Sequence, residues 1–200
     1  MQFAAVAGTL AAAFGVLGTT AAQAQDDPNI IVPTQKKFRV KIGGYFPESG
    51  RQRDALGRNF VSFGLGYDLG KTSTTVPVVY EIYADYLRRS KTSGDFGRTG
   101  LGAFGVGLAA RYFFTDANQM YKPYAGAGVG IYSIHLKQDL PTGAFSNKRE
   151  IGLGGKFLLG TEMNNGIFGE LEYNFLPRPS IFGNDINLNG LQLRLGYRFF

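Results

Sequence analysis

From Phe38 onward, apolar residues recur at every second position in successive segments of the chain. A period of two is the signature of a β-strand whose two faces meet different environments. The segments run for about ten residues, which is the length that a tilted strand needs to cross a bilayer. Eight apolar rows can be counted, and they begin at Val40, Val61, Val78, Phe104, Ala125, Ile151, Gly169 and Leu191. The pattern therefore predicts an all-β fold of eight antiparallel strands.

The connections between these segments alternate in length. The long ones cover residues 47–58, 88–99, 136–149 and 176–188, and the short ones cover 70–75, 115–120 and 161–166. Long and short connections alternate in this way when sequential strands run up and down across a membrane, with the long loops outside the cell and the short turns in the periplasm.

The composition of the two faces indicates which one meets lipid. One face carries the charged residues and many of the 29 glycines, and the other carries Leu, Phe, Tyr, Val and Ile. The interior of eight strands is just wide enough to be filled by side chains, so glycines and charges fit there and the bulky row does not. We therefore expect an eight-stranded antiparallel up-and-down transmembrane β-barrel. On this assignment Leu108→Arg or Leu193→Arg disturbs assembly more than Gly107→Ser, which falls on the lumen face.

The N-terminal part of the chain has the features of an export signal. An apolar stretch rich in Ala and Gly is followed by Ala22-Gln23-Ala24, an A-x-A cleavage pattern. The expected organisation is a signal peptide over residues 1–24, a periplasmic lead-in over 25–36, and a barrel domain over 37–200.

The amino-acid composition limits the kinds of binding site and partner that the chain can have. The chain has no cysteine, which excludes disulfides and thiolate metal sites, and its formal net charge of +6 suggests an anionic surface nearby. No metal-ligand cluster, phosphate-binding loop or cofactor motif is present. We expect no metal, no cofactor and no nucleic acid, and outer-membrane lipids as the surrounding partner.

Charged residues on the polar face predict a network of ion pairs in the lumen. Strand adjacency places Lys156, Glu170, Glu172 and Arg194 together at mid-height. A second group lies nearer the periplasm and comprises Arg39, Lys41, Asp68, Glu81, Arg111 and Arg198. A charge in a narrow lumen is costly unless it is paired or hydrated. These pairs either fill and close the barrel or exchange partners to open a narrow path for ions or small solutes.

Basic residues are concentrated in the long connections. Those expected to contact anionic lipid headgroups are Arg88, Arg89, Lys91, Arg98, Lys148 and Arg149. The same loops suit a receptor or adhesin role, since loops on a rigid scaffold carry function. The sequence names no extracellular partner.

The single histidine raises the question of catalysis. His135 shares the lipid-facing alternation with Ser133, and Asp139 or Glu150 lies near enough in sequence to supply an acid. Same-face neighbours on a strand are about 7 Å apart by rise alone, so a Ser-His hydrogen bond needs favourable rotamers. A lipid A-modifying hydrolase stays a remote alternative, and an enzyme is not expected.

Two segments carry a family resemblance. Residues 122–130 (KPYAGAGVG) are similar to a mid-barrel strand, and residues 191–200, ending GYRFF, resemble a C-terminal barrel strand. Both resemble the small eight-stranded outer-membrane β-barrel family that includes the transmembrane domain of outer-membrane protein A. The resemblance implies an outer-membrane location and a structural or surface-interaction role. It also implies that Tyr197, Phe199 and Phe200 form an assembly signal for the barrel-assembly machinery.

Overall fold

The computed structural model describes residues 37–50, 53, 57–71, 78–93, 97–114, 120–139, 145–181 and 184–199. The predicted signal peptide (1–24), the lead-in (25–36) and Phe200 lie outside these residues. Among the described residues, no helix is long and apolar enough to cross a membrane.

Eight strands close into one antiparallel barrel, with neighbours in the order β1-β10-β7-β6-β5-β4-β3-β2. The barrel strands are β1 (Phe38–Pro47), β2 (Phe60–Lys71), β3 (Val78–Ser93), β4 (Gly97–Phe113), β5 (Tyr121–Asp139), β6 (Phe145–Met163), β7 (Ile167–Phe175) and β10 (Gly190–Phe199). Two short strands, β8 (Ser180–Ile181) and β9 (Asn184–Asp185), pair with each other between β7 and β10. The predicted up-and-down eight-stranded barrel is confirmed.

Four of the strands are longer than their apolar rows. Strands β3 to β6 have 16, 17, 19 and 19 residues. Most of residues 88–99 and 136–149 is therefore strand, and the prediction that these ranges are loops is wrong. Backbone pairing needs no apolar face, and it continues from Arg88↔Gly102 to Ser93↔Gly97 between β3 and β4. These hairpins extend past β2 and β7, whose pairing with them ends earlier.

Outward-facing positions are apolar and exposed along the middle of the barrel wall. Val129 is 69 % exposed and Leu195 is 66 % exposed, although each lies within a strand that has a paired strand on both sides. Aromatic pairs lie at the short-turn end, such as Phe38 with Tyr67 and Tyr112 with Phe114. Such an outward apolar band with aromatic ends is typical of a barrel that spans a bilayer.

Inward-facing aromatic rings lie over glycines on the neighbouring strand. In the strand register Tyr83 is opposite Gly107, and Tyr132 is opposite Gly105. The same arrangement joins Tyr124 to Gly160 and Phe168 to Gly196. A Cβ atom at any of these glycines would come within 2.7 Å of the ring or hydroxyl of its aromatic partner. The glycines therefore make room for large side chains in a narrow lumen.

Candidate functional site

Charged side chains fill the middle and lower part of the lumen. We call twelve of them the lumen charge network: Arg39, Lys41, Asp68, Glu81, Asp85, Arg111, Lys156, Glu162, Glu170, Glu172, Arg194 and Arg198. Cations and carboxylates are equal in number in this set. All are at most 4 % exposed except Arg198, whose side chain is 22 % exposed. Groups so deeply buried are stable as charges only when they are paired.

Asp85 is the centre of the upper part of the network. Its carboxylate oxygens accept from Lys156 Nζ at 3.0 Å and from Arg194 Nη1 at 2.5 Å. The carboxylate of Glu172 lies 3.5 Å from Lys156 and 3.6 Å from Arg194, so each cation meets two acids. Lys156 Nζ also lies 3.7 Å from the centre of the Tyr83 ring, a cation–π contact.

Lys41 joins the upper part of the network to the middle. Its Nζ atom is 3.1 Å from Glu81, 3.0 Å from Glu170 and 3.7 Å from Glu172. Arg39 connects the same two glutamates, at 2.8 Å from Glu81 and 2.9 Å from Glu170. The charges are therefore continuous through the lumen rather than divided into two separate groups.

The lower end of the network lies near the short turns. Arg111 contacts Asp68, and its Nε atom is 3.1 Å from Glu81. Arg198 lies 3.2 Å from Asp68 and also contacts Glu162. Since Arg198 is on β10 and Asp68 is on β2, this pair spans the strand β1 where the barrel closes.

The pairing within the network differs from the one expected from sequence. Glu170 bonds to Arg39 and Lys41 rather than to Lys156. Lys156 is opposite Asn174 in the strand register, which carries it away from Glu170 and towards Asp85 on β3. Asp85 was outside the expected network although its alternation placed it on the polar face. Glu162 belongs to a stretch predicted as a short turn, so no sequence signal marked it.

Apolar side chains close the lumen at the long-hairpin end. Tyr45, Phe60, Leu136, Leu176 and Leu188 are all buried there. They belong to an apolar cluster that also includes Leu87, Leu101 and Ile134 and continues to Val79, Phe113 and Tyr124 towards the short turns. The segment that joins β7 to β10 supplies Leu176 and Leu188 to this cluster.

Hydrogen bonds from Tyr45 and Glu48 hold that segment against the barrel, and a further bond joins its two ends. The hydroxyl of Tyr45 donates to the carbonyl oxygen of Leu188. The amide of Glu48 donates to the carbonyl oxygen of Asn189 at 3.0 Å, and the amide of Leu176 donates to Asn189 Oδ1 at 3.2 Å. The described residues at the end of the last long connection are therefore held against β1 and the residue that follows it.

Only some of the basic residues expected at lipid headgroups belong to the outward face. Arg88 and Arg149 share the alternation of the outward apolar rows and are exposed. Arg89, Lys91 and Lys148 have the opposite alternation, which is that of the lumen face. Arg98 is paired through its backbone with Thr92 and Asp139 at the end of the hairpins.

The Ser133 and His135 side chains bond to other partners rather than to each other. His135 Nε2 shares a hydrogen bond of 2.5 Å with Asn147 Oδ1, and Arg149 Nε donates to Ser133 Oγ at 3.0 Å. Glu150 has the alternation of the lumen face, opposite to His135. Among the described residues, the contacts of Ser133, His135 and Glu150 do not form the nucleophile–base–acid arrangement that acyl transfer requires.

The C-terminal strand ends in stacked aromatics. The Tyr197 and Phe199 rings have centroids 6.0 Å apart at an interplanar angle of 20°. Tyr197 is 44 % exposed on the outward face of β10. Within the described ranges, no group of three or more His, Asp or Glu side chains is arranged to hold a metal ion.

Comparisons with known proteins agree with this architecture. A family model described as "Outer membrane protein beta-barrel domain" matches residues 9–199. Neisserial surface protein A has a similar structure with a TM-score of 0.54 and 16 % identity, covering 81 % of this chain and 94 % of the other. The outer membrane enzyme PagL has a TM-score of 0.56 and 15 % identity, covering 80 % of this chain and 99 % of the other. No curated protein matches the sequence.

Proposed function

Because the chain belongs to the outer membrane protein β-barrel domain family, we propose that it is a closed membrane anchor that presents its long hairpins at the cell surface. The protein is an integral outer-membrane barrel with charged side chains buried in its lumen. The observation that supports a closed anchor is that two sets of buried side chains, one charged and one apolar, fill the lumen at different heights. The lumen charge network occupies the middle and lower part, and buried apolar side chains such as Tyr45, Leu136 and Leu188 occupy the long-hairpin end.

The proposed role does not include catalysis. Ser133 and His135 bond to Arg149 and Asn147, and the nearest acid on the neighbouring strand, Glu150, belongs to the other face. PagL is an outer membrane enzyme, but at 15 % identity its similarity supports the fold alone. During biogenesis we propose that Tyr197, Phe199 and Phe200 present the C-terminal strand to the barrel-assembly machinery.

The orientation of the barrel is a first prediction. The long hairpins should lie outside the cell and the short turns in the periplasm, as in other outer-membrane barrels. The chain has no cysteine, so a single introduced cysteine gives an unambiguous label. Arg53→Cys, at an exposed position between β1 and β2, should react with a membrane-impermeant maleimide on intact cells.

The matched control is Asn165→Cys, an exposed position in the turn between β6 and β7. It should react only after the outer membrane is permeabilised. The reverse pattern, with Asn165→Cys labelled on intact cells and Arg53→Cys protected, would invert the orientation.

A second prediction concerns conductance. The purified wild-type barrel, inserted into a planar lipid bilayer, should give no resolved single-channel steps, because both fillings of the lumen are in place. The same preparation unfolded by heat before insertion serves as the control for leakage from damaged bilayers. Reproducible unitary steps from the folded protein alone would support the alternative function, a narrow channel for ions or small solutes whose ion pairs exchange partners.

A further inference from the structure

Across four neighbouring strands, the outward face changes from apolar to polar at one position in the register. The last row that is mainly apolar consists of Tyr86, Phe104, Ser133 and Ile151, on β3, β4, β5 and β6, with Ser133 as its one polar member. The next row consists of Arg88, Gly102, His135 and Arg149. Two arginines thus border a glycine and a histidine where the apolar band ends, which is the level of the lipid headgroups in a membrane barrel.

A groove follows this boundary on the outer wall. It has a volume of about 520 Å³ and is lined by Tyr86, Gly102, Phe104, Ser133, His135, Asn147 and Arg149. Gly102 lines its floor, and a Cβ atom added there would meet no heavy atom within 4 Å. The missing side chain at Gly102 therefore opens the space between Arg88 and His135.

The polar side of the groove carries positive charge and hydrogen-bond donors. Arg149 uses one of its five donors to reach Ser133 Oγ, and this bond fixes the guanidinium beside the groove. Lys137 follows His135 on the same outward alternation and is exposed. Along the described part of β5, the next acid on that alternation is Asp139, which is opposite Arg98 in the register at the end of the hairpin.

The opposite side of the groove is apolar. The Tyr86 ring is 38 % exposed and the Phe104 ring is 50 % exposed. Below them the outward row continues through Val106 and Ile131, which are adjacent in the register and exposed. The groove thus combines a cationic upper edge with an apolar path that leads down the barrel wall.

We propose that this groove binds the phosphorylated headgroup of an anionic lipid, with an acyl chain lying along Phe104, Val106 and Ile131. Arginine is well suited to phosphate because its planar fork of donors matches two phosphate oxygens. The apolar side of the groove, with Tyr86 and Phe104 exposed, offers contact to the first methylenes of a lipid, which a phosphate ion lacks. The proposal relies on the orientation given above only to assign the lipid to the outer leaflet.

Native mass spectrometry of the folded barrel, released from a neutral detergent, tests the proposal directly. Phosphatidylglycerol is the anionic probe and phosphatidylcholine is the zwitterionic comparator. The wild type should retain one phosphatidylglycerol molecule at concentrations where phosphatidylcholine leaves no adduct. Two variants should weaken this adduct at least tenfold: the double change Arg88→Gln with Arg149→Gln, which removes charge, and Gly102→Leu, which fills the floor and leaves the charge unchanged.

The matched control is Arg178→Gln, an exposed arginine between β7 and β8 that is not part of the groove. It should bind as the wild type does, and the heat-modified gel mobility of each variant reports that it is folded. Equal adducts in all variants would show a non-specific lipid layer and overturn the proposal. Displacement of the adduct by millimolar inorganic phosphate would show a free-phosphate site and overturn it as well. Both results are independent of the closed lumen and of the orientation.

Discussion

Replacing Asp85 with asparagine is expected to destabilise the folded barrel by about 3–5 kcal/mol, the typical loss when one partner of a buried ion pair is removed. Asp85 is 4 % exposed and accepts from both Lys156 and Arg194. Without its charge, these two cations share Glu172 alone, at 3.5 and 3.6 Å. In the low-dielectric lumen, the excess positive charge is not screened by solvent and is therefore costly.

The midpoint of urea unfolding in detergent micelles, followed by heat-modified gel mobility, measures this effect. The double variant Asp85→Leu with Arg194→Met should recover much of the loss, because Lys156 keeps Glu172 as its partner and no charge is stranded. Glu150→Gln is the control for removing an acid that is not buried, because Glu150 is exposed on β6 and is not part of the lumen charge network. If Asp85→Asn unfolds at the wild-type midpoint, the network is hydrated and does not close the barrel.

Leu193→Arg is expected to destabilise the barrel by roughly 2–4 kcal/mol, the cost of a cation near the middle of the membrane. Leu193 is 56 % exposed on the outward face of β10, where its register neighbours are Leu171 on β7 and Gly44 on β1. The measurement is the folded fraction after refolding into lipid vesicles, read by gel mobility with and without heating.

The lumen control for this experiment is Ser62→Ala. Ser62 is fully buried on the inward face, and its Oγ atom has no hydrogen-bond partner among the described residues, so its loss should be nearly neutral. If Ser62→Ala proved more damaging than Leu193→Arg, the assignment of the two faces would be in error.

Gly107→Ser is not the mild lumen change that the sequence suggests. A Cβ atom at Gly107 would clash with the carbonyl oxygen of Val129 and would lie 2.6 Å from the hydroxyl of Tyr83. The alternation correctly places Gly107 on the lumen face, but it does not show that the Tyr83 ring fills the space above it. We therefore expect Gly107→Ser to be damaging for reasons of packing rather than polarity.

The sequence by itself determined the class of fold and the two faces of its wall. Lipid on one side and a narrow lumen on the other require different types of side chain at successive positions, so apolar and polar residues alternate along the sequence. Rows such as Val61 to Leu69 and Leu191 to Phe199 show it without any knowledge of contacts. The same pattern could not show where strands end, since the hairpins up to Ser93 and Asp139 are held by backbone bonds that any side chain permits.

Only the tertiary structure decided which charges meet and what covers the lumen. Asp85 is 71 residues from Lys156 and 109 residues from Arg194, and their contact depends on barrel closure and on a register that alternation leaves open. The burial of Leu188 likewise follows from the path of the segment after β7. The open space at Gly102 depends on which residues of four strands lie side by side in the register. Alternation fixes which way a side chain points, whereas its neighbours across the lumen are set by how the whole sheet closes.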